Sequence, residues 1–248
     1  LAKASEPDKD GFIRSIGVFD QDGNKVDGSA TRLHLRGSRL DIVCELVAES
    51  RFGEHAEFRE SRFGGVAWFR ESRFGGATRF RSARFGGIAD FEDTRFGGAT
   101  EFEYTRFGGA ARFGKARFGG VVRFGDARFG VEADFDDVRF IGAASFKFAR
   151  FGGNAWFGQA RFGEAAEFGH ARFVGEASFM YACYGGEANF KYVHFCQDAI
   201  FEGIKIRSVD FGCANFGGKV YFQYACFHEA ADFGGSCFIG SVKFDNAR

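Results

Sequence analysis

The stretch AEFRESRFGGVAWFRESRFGG, residues 56–76, contains one short unit written twice. Phenylalanine recurs in it after five residues and then after six, at Phe58, Phe63, Phe69 and Phe74. The same alternation continues without a slip from Phe52 to Ile206, and Tyr184 and Ile206 replace the ring with another large apolar group. A period this strict predicts one small structural unit that is stacked on itself many times.

The composition agrees with a repeat protein. The chain of 248 residues contains 37 Phe and 37 Gly beside one Pro and one Met, which is far from average usage in globular domains. Basic and acidic residues balance at 33 each, so no net charge steers the molecule toward nucleic acid or a membrane surface. The sequence has no apolar run long enough to span a bilayer.

The repeat has to be tested against an α-helix, because eleven residues also make three helical turns. Steps of five and six residues would turn successive rings by about 140° and 240°, which gives no apolar stripe. In an extended chain, by contrast, the Ala and Phe of Ala-x-Phe point inward and the residue between them, such as Glu57, points outward. The pattern predicts a β-solenoid of short strands, with each Gly-Gly pair at a corner that needs positive φ.

Three segments match a five-residue unit of the form Ala-(Asp/Asn)-(Leu/Phe)-x-x closely: ADFED at 89–93, ADFDD at 133–137 and ANFKY at 188–192. Over about residues 50–246 the chain resembles the pentapeptide-repeat family. The resemblance implies an all-β, right-handed, four-sided parallel β-helix. Every second unit here carries an extra residue, which lengthens the coil from about 20 residues to about 22 residues, and we expect the Gly-Gly pairs to absorb it at two opposite corners. A two-sided roll of eleven residues per coil is the alternative.

The solenoid is predicted to occupy residues 31–248 and to be most regular over 52–206, where it makes seven coils. The tail from 207 adds nearly two more after one shortened interval. Leu35, Leu40 and Leu46 indicate an irregular first coil. At about 4.8 Å per coil the rod is about 45 Å long.

Residues 1–30 lie outside the repeat and are expected to form an N-terminal hairpin or cap. The run 17–26 is typical of a β-hairpin around the Asp22-Gly23 turn. A calcium loop is the weaker alternative, because the glycine and the closing glutamate of an EF-hand are missing at the required places. The chain starts at Leu1 and stops where the next Phe is due, so we expect it to be part of a longer or trimmed protein.

The six cysteines form no CxxC pair and match no zinc signature. They are expected to be free thiols, which favours a reducing compartment and a cytoplasmic location. Secretion is the alternative if Ala2-Lys3-Ala4 is the end of a signal peptide. The five histidines are scattered, and no nucleophile–base spacing or phosphate-binding loop is present. The sequence therefore predicts no enzyme, no catalytic residues, no metal site and no cofactor.

Arginine recurs every eleven residues from Arg51 to Arg172. On four-sided coils these residues form two columns on opposite faces, and one column is Arg62, Arg84, Arg106, Arg128, Arg150 and Arg172. Neighbouring charges about 5 Å apart repel by about 1 kcal/mol even in water. We expect ion-pair ladders with the carboxylates two residues earlier: Glu60, Glu71, Asp93, Asp126 and Asp137. An anionic partner laid along the columns is the alternative.

The other two faces differ from the arginine faces. One carries Glu57, Arg79, Glu101 and Arg123 in alternation, which indicates pairing within the face. The other carries Trp68 and Trp156, four coils apart. The period-two rule places both rings outside, where they are candidate contact residues for a partner. Partial shielding by neighbouring side chains is the alternative.

These observations favour a non-catalytic scaffold that presents ordered surface ladders to another protein. A second copy that docks through the solenoid ends is the other partner considered. One alternative is binding of a polyanion, such as nucleic acid or an acidic polysaccharide, by the arginine columns. The family resemblance implies a further alternative, a DNA mimic that shields a type II topoisomerase. That role uses an acidic surface, and a chain of zero net charge with two arginine-lined faces fits it poorly.

Overall fold

The computed structural model describes residues 2–4, 12–13, 16–18, 29–34, 39–40, 43–44 and 51–248. The chain winds as a right-handed, four-sided parallel β-helix. This confirms the fold class. No helix long and apolar enough to cross a membrane occurs in the ranges given above.

The strands form three large sheets and one small pair. The pair is Ala2–Ala4 with Ile16–Val18. An 11-stranded sheet contains Phe12–Ile13, Arg39–Leu40, Arg62–Phe63, Arg84–Phe85, Arg106–Phe107, Arg128–Phe129, Arg150–Phe151, Arg172–Phe173, His194–Phe195, Asn215–Phe216 and Cys237–Phe238. A 10-stranded sheet contains Val43–Cys44, Val66–Trp68, Ala89–Asp90, Ala111–Arg112, Ala133–Asp134, Ala155–Trp156, Ala177–Ser178, Ala199–Ile200, Val220–Tyr221 and Val242–Lys243. A 16-stranded sheet contains Ser29–His34, Arg51–Glu57, Arg73–Phe74, Thr78–Arg79, Arg95–Phe96, Thr100–Glu101, Arg117–Phe118, Val122–Arg123, Arg139–Phe140, Ala144–Ser145, Arg161–Phe162, Ala166–Glu167, Cys183–Asn189, Lys205–Asp210, Cys226–Phe227 and Ala231–Asp232.

Each coil has four faces, which we number in chain order. The strand Arg73–Phe74 lies on face one, Thr78–Arg79 on face two, Arg84–Phe85 on face three and Ala89–Asp90 on face four. Faces one and two belong to the same sheet, because a few longer strands, such as Arg51–Glu57, run around the corner between them.

The strands pair in parallel from coil to coil. Phe52 lies opposite Phe74, and the same offset of one full four-sided coil recurs as far as Tyr184 opposite Ile206. A two-sided roll would place neighbours half as far apart in the chain, so this register excludes it. The offset is one residue shorter where Glu187 lies opposite Ser208, which is the interval that the sequence shortens.

The aromatic rings fill the interior, as the sequence predicts. Phe113 and Phe135 are fully buried, and their rings stack along the axis with centroids 4.9 Å apart and 2° between planes. Within a coil the contacts are edge-to-face, for example 5.4 Å and 84° between Phe113 and Phe124. Both geometries suit the ring quadrupole and add to the free energy of burial.

The corners differ from the prediction in one respect. The Gly-Gly pairs absorb the extra residue at two opposite corners, between faces one and two and between faces three and four, as expected. They do not supply positive φ, however. Within 51–248, positive φ of 53° to 70° occurs at the other two corners, at the second residue after Phe: Glu60, Glu71, Ser82, Asp93, Tyr104, Lys115, Asp126, Asp137, Phe148, Gln159, His170, Tyr181, Tyr192, Gly203, Cys213, Tyr224, Gly235 and Asn246.

The Gly-Gly pairs stand where the backbones of neighbouring coils approach closely, although Val131, Ile141 and Glu164 occupy equivalent positions in other coils. A Cβ atom on Gly98 would lie 2.6 Å from the carbonyl carbon of Gly76 in the preceding coil and 2.9 Å from the amide nitrogen of Ala77. Backbone atoms cannot yield as a flexible side chain does. The assignment of positive φ to Gly-Gly was therefore wrong, and the physical reason for these glycines is packing of backbone on backbone.

The backbone before residue 51 adds a further coil. Ser29–His34 pairs in parallel with Arg51–Glu57, and Leu40 lies opposite Phe63. Leu35, Leu46 and the Asp22-Gly23 turn fall outside the described residues.

Candidate interaction surface

Face three carries the arginine column that the sequence predicts. Its strands pair in register, so that Arg84 lies between Arg62 and Arg106, and Arg150 lies between Arg128 and Arg172. All six side chains are exposed. Face one carries a second column in the same arrangement, in which Arg73 lies between Arg51 and Arg95.

The structure does not contain the expected ion-pair ladders along these columns among the side chains that it describes. Within residues 51–248, no arginine of either column forms an ion pair with a described carboxylate. The side chain of Glu71 contacts Arg70 instead, with 3.7 Å from Oε1 to Nε. From Arg62 to Arg172, the residue two positions before each arginine stands at a positive-φ corner. Its side chain therefore leaves the backbone in a different direction from the arginine on the strand that follows.

Face two does contain the predicted pairing. The Arg79 guanidinium lies 3.6 Å from Glu57 and 3.5 Å from Glu101. Arg59, which follows on the same side, lies 3.3 Å from Glu57 and 3.1 Å from Glu101. These four side chains neutralise one another, so this part of face two offers no unmatched charge to a partner.

A column of aromatic side chains flanks the arginines of face three. Phe148, His170 and Tyr192 stand at successive positive-φ corners and are all exposed. The ring centroids of Phe148 and His170 are 4.9 Å apart with 17° between planes, and those of His170 and Tyr192 are 4.8 Å apart with 12°. Lys147 places its ammonium 5.6 Å from the Phe148 ring centroid. These three exposed rings lie outside the phenylalanine core, so core packing does not explain their presence.

Arginines and rings line one shallow groove along this corner. Its walls are Tyr104, Arg106, Asp126, Arg128, Phe148, Arg150 and His170. The corresponding groove at face one is lined by Glu71, Arg73, Asp93, Arg95, Lys115 and Arg117, without an aromatic residue. We define the aromatic–arginine strip as Lys147, Phe148, Arg150, His170, Arg172 and Tyr192.

The two tryptophans lie on face four and not on this strip. Both are half-buried, which corrects the expectation of exposed rings and agrees with partial shielding. The indole Nε1 of Trp156 donates a hydrogen bond of 3.1 Å to the Glu132 side chain. The structure therefore brings the six candidate arginines of face three together and leaves Trp68 and Trp156 apart from them and from each other.

Face four becomes acidic in the C-terminal half of the solenoid. Between residues 130 and 204, the face and the corners on either side of it carry seven carboxylates and no Lys, Arg or His outside the two arginine columns: Glu132, Asp134, Asp136, Asp137, Glu176, Asp198 and Glu202. None of the seven forms an ion pair with a described residue. We call this set the acidic face.

Two of these carboxylates are held in an unfavourable environment. Burial raises the pKa of Asp134, and the nearby Glu132 carboxylate raises it further, although the amide of Asp136 donates a 2.8 Å hydrogen bond to it. Burial also raises the pKa of Asp136, with a contribution from the charge of Asp134. Burial is the main cause of both shifts, and the charge of Arg112 in the preceding coil partly opposes the rise in the pKa of Asp134.

Sequence reasoning missed both the strip and the acidic face. A signal for the strip is present, since Phe148, His170 and Tyr192 occupy one slot in three successive coils. Earlier coils fill that slot with Glu60, Ser82, Tyr104 and Asp126. The carboxylates of the acidic face do not occupy one position in successive coils. They are recognised as one surface only when four coils are placed next to one another.

The cysteines whose side chains the structure describes lie in the C-terminal part of the solenoid. Cys183, Cys196, Cys213, Cys226 and Cys237 are free, as predicted. Within 51–248 no group of three or more His, Cys, Asp or Glu side chains is placed to hold a metal ion.

Comparisons with known proteins were made for sequence and for structure. The family model described as "Pentapeptide repeats (9 copies)" matches residues 58–106, 102–150, 135–182 and 148–194. No curated protein matches the chain. Three chains among the solved structures match. One is HetL, a pentapeptide repeat protein involved in heterocyst differentiation regulation from the cyanobacterium Nostoc sp. strain PCC 7120. Its identity is 14%, the match covers 90% of this chain and 86% of that chain, and the TM-score is 0.23.

Proposed function

Since the chain belongs to the pentapeptide-repeat family, we propose that it is a non-catalytic scaffold that binds another protein through its ordered surface ladders. The observation that carries the proposal is the aromatic–arginine strip. It combines exposed rings with guanidinium groups that have no carboxylate partner among the described residues. Aromatic residues and arginine are the side chains most enriched at the energetic centres of protein interfaces.

The strip is also rigid, which suits a binding surface. Each of its side chains stands on a backbone fixed by hydrogen bonds to neighbouring coils, for example from the Phe148 amide to the Gly169 carbonyl at 3.0 Å. The rings of Phe148, His170 and Tyr192 support one another by stacking. Less side-chain freedom is lost when such a surface binds, so more of the contact free energy appears as affinity.

Site-specific photocrosslinking in cells tests the proposal. A benzophenone amino acid replaces Phe148, and the matched control places it at Ile141, which is 61% exposed but lies at a different corner, between faces one and two. We expect a discrete adduct from position 148 that disappears with Arg150→Glu and Arg172→Glu. Equal adducts from both positions, or none from position 148, would contradict a protein-binding strip.

Binding of a polyanion is the second candidate function. It is favoured by the absence of ion pairs along both arginine columns within residues 51–248. Heparin chromatography across a salt series tests it, because counterion release makes such binding weaken steeply with salt. Retention should fall after Arg150→Glu with Arg172→Glu. No retention at low salt rules this function out.

A further inference from the structure

We propose that the aromatic–arginine strip binds the acidic face of a second copy of this chain. This inference rests on the proposed function and names the partner. Each copy offers one strip and one acidic face, so the rods associate side by side through unlike surfaces. The argument rests on charge, on the period of the two surfaces and on their positions around the coil.

The charges of the two surfaces are complementary. The strip carries Lys147, Arg150 and Arg172, and none of the three forms an ion pair with a described residue. Glu167, the nearest carboxylate on face two, accepts a hydrogen bond from Asn189 at 3.0 Å. None of the seven carboxylates of the acidic face forms an ion pair with a described residue, although Arg112 lies opposite Asp134 in the preceding coil. Docking the two surfaces brings these unpaired cations and carboxylates together.

The backbones that carry the two surfaces share one period, because both belong to the same stack of coils. Rings of the strip are 4.8 and 4.9 Å apart, and core rings behind the acidic face are 4.8 Å apart, as in Phe135 and Phe157. When two rods lie with parallel axes, each coil of one rod can therefore face one coil of the other, and three of the four coils of the acidic face supply a carboxylate.

The stacked rings favour carboxylates over nucleic-acid bases. The faces of His170 are covered by Phe148 and Tyr192, so a base finds no open ring face there on which to stack. The ring edges point to solvent, and the edge of an aromatic ring carries partial positive charge. Together with the adjacent guanidinium groups, these edges form a surface that attracts carboxylate oxygens.

The positions of the two surfaces decide the type of assembly. The strip lies at the corner of faces two and three, and Asp136, Asp137 and Glu202 of the acidic face lie at the opposite corner, between faces four and one. The strip and these carboxylates therefore cannot both lie in one two-fold contact. The contact is therefore heterologous, and it leaves one strip and one acidic face open on the outer rods, where more copies can add. A net charge of zero imposes no long-range repulsion between copies.

The first experiment measures molar mass by sedimentation and light scattering at low salt over a concentration series. We expect the mass to rise past the dimer and to return to the monomer at about 1 M NaCl, where the screening length is about 3 Å. Arg150→Glu with Arg172→Glu should abolish the rise. The matched control is Arg139→Glu with Arg161→Glu, which changes the equivalent slots of face one in the same coils and should retain it. Equal effects of the two variants overturn the proposal.

The second experiment mixes two variants that are each expected to be monomeric. One is Arg150→Glu with Arg172→Glu, which keeps its acidic face. The other is Asp136→Arg with Asp137→Lys, which keeps its strip. Arg70 and Lys115 already occupy the same two slots in other coils, so these side chains fit there. The mixture should form a one-to-one heterodimer that grows no further.

The outcomes separate this inference from the proposed function. A protein that is monomeric at every concentration, or a mixture that stays monomeric, overturns binding of a second copy. If the photocrosslink at position 148 still gives an adduct with a different protein, the scaffold function stands and only the identity of the partner is wrong. If neither assembly nor adduct is found, both fail.

Discussion

Each coil has four corners, two at Gly-Gly pairs and two that follow Ala-x-Phe. The two kinds of corner restrict the amino-acid sequence for different physical reasons. At Gly-Gly, backbone φ stays out of the left-handed region, yet a Cβ atom would collide with the coil below. At the other corner φ is positive, yet Tyr, Phe, Lys and Glu all occupy it. Glycine is thus placed by the distance between coils and not by the dihedral angle.

The difference follows from where the side chains go. At a positive-φ corner the side chain points into solvent, so the cost is local strain of about 1–2 kcal/mol. At Gly-Gly the Cβ direction is blocked by another segment of backbone, and relief would require two coils to separate. Such a separation would also break the inter-coil hydrogen bonds that continue on both sides, such as the 2.7 Å bond from the Gly97 amide to Phe74.

The largest expected effect is that of Gly98→Ala. Its Cβ atom would lie within 3 Å of three backbone atoms of the preceding coil, so we expect a loss of about 3 kcal/mol in the free energy of unfolding, the upper end for overpacking. Urea denaturation followed by circular dichroism measures it.

Gly125→Ala is the matched control. This glycine stands at the other kind of corner, one residue before the positive-φ position. The nearest atoms to an added Cβ are 3.7 and 3.8 Å away, which is ordinary contact. Because alanine restricts the unfolded chain, we expect a gain of about 0.5 kcal/mol. A comparable loss in both variants would contradict the distinction between the two corners.

A smaller effect is expected at a positive-φ position. Gln159 has φ of 56° and an exposed side chain. Gln159→Val should cost about 1 kcal/mol, because β-branched residues are the least tolerant of this region, and no Val, Ile or Thr occupies such a position in 51–248. Gln159→Gly should be neutral or slightly stabilising. Differential scanning calorimetry separates the two. Equal stability of the Val and Gly variants would show that this corner does not discriminate by dihedral angle.

The sequence predicts this fold well because the same spacing of phenylalanine is repeated in many coils. The positions of Phe58 and Phe63 alone would be ambiguous, but the same alternation over seven coils leaves only an extended chain with inward rings. The reason for the glycines could not be predicted, since a corner of positive φ and a close backbone contact both select Gly. Only the position of Gly76 beneath Gly98 decides between them.

The candidate surface was predicted in part. The arginine columns follow from the eleven-residue period, but their lack of carboxylate partners depends on side-chain directions at the corners, which the period does not contain. Trp156 was placed on the correct face, while its shielding by a hydrogen bond to Glu132 comes from a residue in the preceding coil. A contact of this kind can be predicted only when the residue pairing between neighbouring coils is known exactly.

The smallest expected effect concerns a hydrogen bond that recurs at the positive-φ corners of the described residues. Asp134 accepts the Asp136 amide at 2.8 Å, and Asn189 does the same for Lys191 at 2.9 Å, so an amide suffices. Asp134→Asn should keep this bond and remove a charge that the fold disfavours. We expect a gain of about 0.5 kcal/mol at pH 7, the scale of surface substitutions.

The pH dependence of that gain follows from linkage. The pKa of Asp134 is raised above its ordinary value of 3.8, so the folded state binds more protons than the unfolded state in the interval between the two values. Wild-type stability therefore falls as the pH rises through that interval, and the Asn variant lacks this loss. The difference between the two proteins should vanish below about pH 4. Asp134→Ala, which loses the bond as well as the charge, should be less stable than Asp134→Asn at every pH. A gain that persists unchanged at low pH would mean that the charge of Asp134 is not its cause.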